Sequence, residues 1–209
     1  FKNSISLIGE LYSISLNEIK KLYLTSSLYN KKISNIQSKS LIYKPTLSVL
    51  SCLIKYDKTK NRIEDLDLNS FWKKENLTNE NYKKLHSFYW LFTIDLKSSN
   101  KITQSVIEKW IDKFQNYNSN NWQVDTLSKR IISWVANSKI TYEGSENSYK
   151  IKFDKLINKQ INHLINEISK SKTVDNKMLG CTAIVMGGLS YNNEKFLSYG
   201  LGLLKKIIS

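Results

Sequence analysis

Arg130 stands three residues after Leu127 and four before Trp134, so on a helix all three share one face. A guanidinium on an apolar face needs a carboxylate, a carbonyl or a bound anion, because an unpaired buried charge is strongly destabilising. Two readings follow. Arg130 is either the cation of an interhelical salt bridge, with Asp125 or Asp95 as partner, or an anion-facing group on a cleft wall. Trp90, Trp110, Trp122 and Trp134 gather in the middle third of the chain. Aromatic residues at helical spacing mostly pack, and a sugar or base platform is the alternative. Trp122 suits the second role best, since its neighbours from Tyr117 to Gln123 are polar. His86 and His163 are the only histidines, and His163 flanks an apolar stripe near Leu156 and Gln160, the setting of a hydrogen-bonded structural histidine. No zinc-type cluster stands out, so neither a metal site nor a cofactor is expected. A phosphate-cradling loop, a nucleophile elbow and a dinucleotide fingerprint are also missing from the sequence. Gly180, Gly187, Gly188, Gly200 and Gly202 fall inside helical patterns, not between strand and helix.

The elements that would carry these residues read as helices. Leu16, Ile19, Lys20, Leu22 and Tyr23 have helical spacing, with Ser15 as a cap, and Thr46 to Lys55 is apolar behind Pro45. Asp57 to Asn69 reads as a polar connector. Asn81 to Leu96 is apolar on nearly every side and predicts one buried helix, broken by Ser98-Ser99-Asn100. Ile102, Val106, Ile107, Trp110, Ile111 and Phe114 form the next stripe. Asp125 reads as the N-cap of a helix carrying Leu127, Ile131, Trp134 and Val135. After a loop at Gly144, further helices are predicted through Phe153 to Ile168, Lys177 to Tyr191 and Phe196 to Ile208. Amphipathic and nearly all-apolar helices alternate, as when helical hairpins stack in two layers. The predicted fold class is all-α, an incomplete α/α toroid or an irregular bundle.

With one proline and seven glycines among 209 residues, a sandwich of many tight turns is disfavoured. At 41% hydrophobic and 24% charged, the chain can build a core. Thirty-two Lys and Arg against 18 acids give +14, which attracts polyanions or simply solvates a basic surface. Only Arg62 and Arg130 are arginines, so base reading and bidentate phosphate recognition have little support and nucleic acid is an unlikely partner. Cys52 and Cys181 sit in apolar surroundings and read as buried thiols. No apolar run is long enough to cross a bilayer. The chain opens at Phe1 with no charged-then-apolar leader, and the expectation is a piece of a longer product.

Trp122 to Val135 (Trp-Gln-Val-Asp-Thr-Leu-Ser-Lys-Arg-Ile-Ile-Ser-Trp-Val) resembles the W…D…S-R-R-[IL]-x-x-W segment of the heparinase II/III superfamily. Gln160-Ile-Asn-His-Leu and Ala183-Ile-Val-Met-Gly-Gly-Leu-Ser-Tyr resemble that family's later helices, and His86-Ser-Phe-Tyr-Trp-Leu the preceding one. The resemblance covers about residues 71–209, in order, and leaves residues 1–70 as an N-terminal helical extension. It implies a divergent bacterial member, with an α/α toroid that continues into a C-terminal β-rich domain lying beyond this chain. It also implies a polysaccharide lyase that cleaves uronate-containing glycans by β-elimination, with the acidic polysaccharide as partner. In such chemistry abstraction of the C5 proton builds enolate charge that a donor must stabilise. Val174-Asp175-Asn176-Lys177 stands where the family has Asn-His; with the register shifted by one residue, the resemblance implies that Asn176 takes the catalytic, carboxylate-neutralising role, and no His follows it. Asp175 would repel a uronate. Arg130, Trp122, His163 and Lys177 are the substrate-binding candidates. Export to the periplasm or beyond is implied by the resemblance alone. A non-catalytic glycan- or partner-binding module is the alternative, and a non-specific nucleic-acid binder a weaker one.

Overall fold

A computed structural model describes residues 2–34, 39–43, 78–95 and 97–209. The fold is all-α, with nine α-helices and no β-strand among the described residues. They are α1 (Lys2–Thr25), α2 (Ser27–Ser34), α3 (Asn79–His86), α4 (Asn100–Phe114), α5 (Val124–Ala136), α6 (Ser138–Thr141), α7 (Asn147–Glu167), α8 (Val174–Ser190) and α9 (Glu194–Ile208). Short 3-10 turns cover Tyr89–Thr93 and Ile168–Lys170. The expected elements at Thr46 to Lys55 and Asp57 to Asn69, and Cys52, lie outside the described residues.

The core is aromatic at its centre. Trp110 of α4 and Trp134 of α5 meet edge to face at 5.6 Å between ring centroids, and Phe153 of α7 stacks on Trp134 at 5.3 Å. Phe88 fills the remaining side, 5.1 Å from Trp134 and 5.9 Å from Trp110. That packing explains the main departure from the periodicity. The single helix predicted over Asn81 to Leu96 is instead α3 and a 3-10 turn, because Phe88 takes a left-handed φ of 54° that no α-helix continues through. Its ring is fully buried, and insertion between two tryptophans outweighs the cost of that backbone.

Two caps differ as well. Helix α5 starts at Val124 behind Gln123, and Asp125 lies in its first turn, where it pairs with Lys83 of α3 at 3.5 Å. Ser15 lies inside α1, which runs through it as one helix. Elsewhere side chains close the helix ends. Ser99 Oγ accepts from the Ile102 amide, Thr173 Oγ1 from Asn176 and Asn193 Oδ1 from Phe196, at the starts of α4, α8 and α9.

Helices α8 and α9 form an αα-hairpin around Tyr191–Asn193. Its close approach depends on Gly188: a Cβ there would sit 2.6 Å from the Leu197 amide nitrogen. Cys181 is a buried free thiol in this hairpin. Helix α7 is the organising element, since α2, α4, α5 and α8 all pack on it. The N-terminal helices are therefore tied to the rest of the chain. Asn162 Nδ2 donates to the Ile33 carbonyl at 2.8 Å, and Lys20 pairs with Glu167 at 2.7 Å. No helix among the described residues is long and apolar enough to cross a membrane.

Candidate functional site

Arg130 is fully buried in α5. The predicted ion pair with Asp125 or Asp95 does not form, since its partners are neutral. Nη1 donates to the His86 carbonyl at 2.8 Å and to the Asn121 carbonyl at 3.0 Å, and Nε points to Gln160 Oε1 at 3.4 Å. The carbonyl of the last residue of α3 and the one before Trp122 both accept from it, so a cation between them satisfies two acceptors at once. Nη2 has no hydrogen-bond acceptor. The guanidinium lies 4.3 Å from the centre of the Trp110 ring, a cation–π contact that replaces part of its lost hydration. Burial pulls the Arg130 pKa down to about 9, which leaves the side chain charged at neutral pH.

Trp122 is 1% exposed, so its polar sequence neighbours do not leave it solvated. Its indole donates to the Phe114 carbonyl at 3.3 Å. Its ring lies edge-on to His163 at 5.3 Å, and Tyr117 lies 5.2 Å from the same imidazole. His163 Nδ1 is 2.8 Å from the Tyr29 hydroxyl. Burial pushes the His163 pKa down to about 4 and the Tyr29 phenol well above its usual range, so both are neutral at pH 7. The phenol then donates to Nδ1, and the ring proton sits on Nε2, towards the Trp122 backbone.

Tyr117, Trp122 and His163 form one side of a cavity of about 340 Å³ between α1, the 115–123 loop and the end of α7. Leu24, Tyr117, Trp122 and His163 line the apolar side, while Lys20, Lys21, Glu167 and Lys170 line the polar one. Burial pushes the Glu167 carboxyl up, but Lys170 at 2.6 Å and Lys20 at 2.7 Å outweigh it and hold the pKa below the usual carboxylate value. With Glu167 paired to two lysines and Lys21 exposed at the mouth, the rim is net positive.

The five predicted residues are thus divided. Trp122 and His163 come together on one cavity wall. Arg130 is enclosed in the core behind it. Asn176 and Lys177 sit, partly exposed, on the first turn of α8 and do not line this cavity. Asp175 beside them is exposed.

Sequence reasoning missed Tyr29, Tyr117 and the Lys20–Glu167–Lys170 group. The spacing of Glu167 and Lys170 was a usable signal. Tyr29 gave none, because its partner His163 is 134 residues away. Among the described residues no group of three or more His, Cys, Asp or Glu side chains could hold a metal ion. In comparisons with known proteins, no family model, curated protein or solved structure matches this chain.

Proposed function

We propose that this chain binds acidic, uronate-containing polysaccharide as the helical part of a heparinase II/III-like lyase. In that reading its helices belong to an α/α toroid completed by a C-terminal β-rich domain, in an exported protein. The observation that carries the glycan reading is the cavity beside Trp122, which is aromatic on one side and lysine-rimmed on the other. Sugar rings offer C–H faces to aromatic side chains, and uronate carboxylates meet ammonium groups. A net charge of +14 would speed encounter with a polyanion.

For the eliminative step, Asn176 is the residue to test. It lies in the first turn of α8, at the positive end of the helix dipole and next to Lys177, an environment that favours developing negative charge. Asp175 opposes it in the same turn. A second reading, a binding module without catalysis, is favoured by the Tyr29–His163 pair. Both groups are enclosed and neutral, with pKa values displaced away from 7, so neither exchanges protons readily near neutral pH.

The two readings separate by ultraviolet absorbance of unsaturated uronate, measured on a panel of acidic polysaccharides alongside direct binding. Binding with product that disappears in Asn176→Ala supports the lyase. Saturable, salt-sensitive binding without product supports the module. No binding to any uronate-containing glycan contradicts both.

A further inference from the structure

A second cavity, of about 270 Å³, opens on the other side of the 115–122 segment, between α2, α4 and α7. Lys152, Lys155 and Lys159 of α7 line it at helical spacings of three and four, which puts three ammonium groups on one face. Their circumstances differ. Lys152 is neutralised by Glu108 at 2.9 Å and Asp112 at 3.2 Å. Lys159 is only 6% exposed and has no carboxylate partner among the described residues. Its ammonium donates to the Gln115 carbonyl at 2.6 Å and to Asn116 Oδ1 at 3.2 Å, both neutral acceptors, and lies 5.7 Å from the centre of the Trp122 ring, so none of these contacts neutralises its charge. Lys155 is exposed, with no ion pair within 4 Å among the described residues. Opposite them, Asn30 Oδ1 is a buried acceptor with no donor, on a residue that lines the same space.

Two cations without acids and one acceptor without a donor define a complementary ligand. It has oxyanion oxygens for Lys155 and Lys159, and a hydroxyl to donate to Asn30. Ile111, Ile151 and Leu156 supply an apolar wall for carbon atoms. The volume lies just below the range usual for drug-sized ligands and suits a single ring. We propose that this cavity binds a small hydroxylated oxyanion, a single sugar acid or sugar phosphate, between Lys155, Lys159 and Asn30. Burial lowers the Lys159 pKa to about 8, and an anion in contact with it would raise it again. The site shares no lining residue with the cavity beside Trp122, and the proposal does not depend on the polysaccharide reading.

Calorimetric titration of the full chain with glucuronate, glucose 6-phosphate, inorganic phosphate and glucose tests it. The first two should bind saturably, and Lys155→Glu should weaken them by about tenfold or more. Because Lys155 is exposed and without a carboxylate, this variant should keep the parent's circular dichroism and melting temperature. Ser119→Trp, which obstructs only the cavity beside Trp122, should leave glucuronate binding unchanged. Failure of both sugar anions to bind would overturn the proposal. So would glucose binding as tightly as glucuronate, inorganic phosphate binding as tightly as the sugar phosphate, or affinity unchanged by Lys155→Glu. Loss of sugar-acid binding only in Ser119→Trp would assign it to the first cavity and equally overturn the proposal.

Discussion

Replacing Arg130 separates a structural cation from a ligand-binding one. Its Nη1 satisfies the carbonyls of His86 and Asn121 at 2.8 and 3.0 Å in a region with no exposure to solvent. Hydrogen bonds to a charged donor contribute about 1.5–3 kcal/mol each, and each orphaned buried acceptor costs about 1–3 kcal/mol. Against this stands the desolvation of the guanidinium, several kcal/mol in a dry interior, partly offset by its contact with Trp110. Because removing the cation takes this donor away from two inward carbonyls at once, the loss should win. Arg130→Met, which keeps most of the volume, should cost about 2–3 kcal/mol. Arg130→Ala adds a cavity and should cost about 3–5 kcal/mol. For a domain of this size that lowers the melting temperature by roughly 10 °C. Urea titration of both variants measures it, with affinity for oligouronates read on the folded protein below the transition. The affinity should be unchanged. A neutral or stabilising Arg130→Met would mean that desolvation exceeds the carbonyl contacts, and the reasoning would fail. Weakened glycan binding at full stability would restore the anion-facing role.

The remaining predictions concern pH, packing and the tyrosine–histidine pair. Burial depresses His86 to about 3 and His163 to about 4, so below pH 6.5 the unfolded chain binds more protons than the folded one and stability falls on acidification. Asp154, raised to about 6 by burial although it accepts from Tyr142 and Tyr191, works in the opposite sense between pH 6 and 4. The balance of two histidines against one carboxyl predicts a loss of about 1.4 kcal/mol per pH unit across that interval, measurable by urea melts, and a steeper loss in Asp154→Asn. Flat stability from pH 6 to 4 would contradict it. Gly188→Ala should destabilise by about 1–3 kcal/mol, because the new methyl meets the Leu197 backbone. Gly202→Ala, in open space within α9, should stabilise by about 0.5–1 kcal/mol, and thermal melts of the pair give the contrast. Tyr29→Phe removes the hydroxyl donor to His163 Nδ1 and should cost about 1–2 kcal/mol while raising the histidine's exposure to exchange, followed by imidazole NMR.

Apolar periodicity located α4, α5, α7 and α9, because each shows a stripe long enough to dominate its sequence, and α8 was marked by its continuous run of small and apolar residues. It failed where tertiary packing set the backbone. Phe88 enters the core by leaving the helix, and nothing in a continuous apolar run marks that residue. Arg130 was visible as a misplaced charge, but its carbonyl partners were not, since backbone acceptors carry no side-chain signature. Trp122 shows the reverse error. Its neighbours are polar, yet His163 closes over it from a distant part of the sequence and the nearby Tyr117 packs against it. Half of the candidate cavity was therefore legible as Trp122 and His163. The half contributed by α1 was not, because α1 exposes Ile19, Leu22 and Tyr23 and so lacks a clean buried stripe.

The central claim is that the cavity beside Trp122 receives acidic glycan. The most direct test is calorimetric titration of oligouronates into the full chain and into Ser119→Trp, whose new ring obstructs the cavity from an exposed position without altering the core. Saturable binding to the parent that weakens with salt, and that falls by about tenfold or more in Ser119→Trp, is the expected result, with both proteins melting at the same temperature. Equal affinity of the two proteins for the same oligouronate would contradict it.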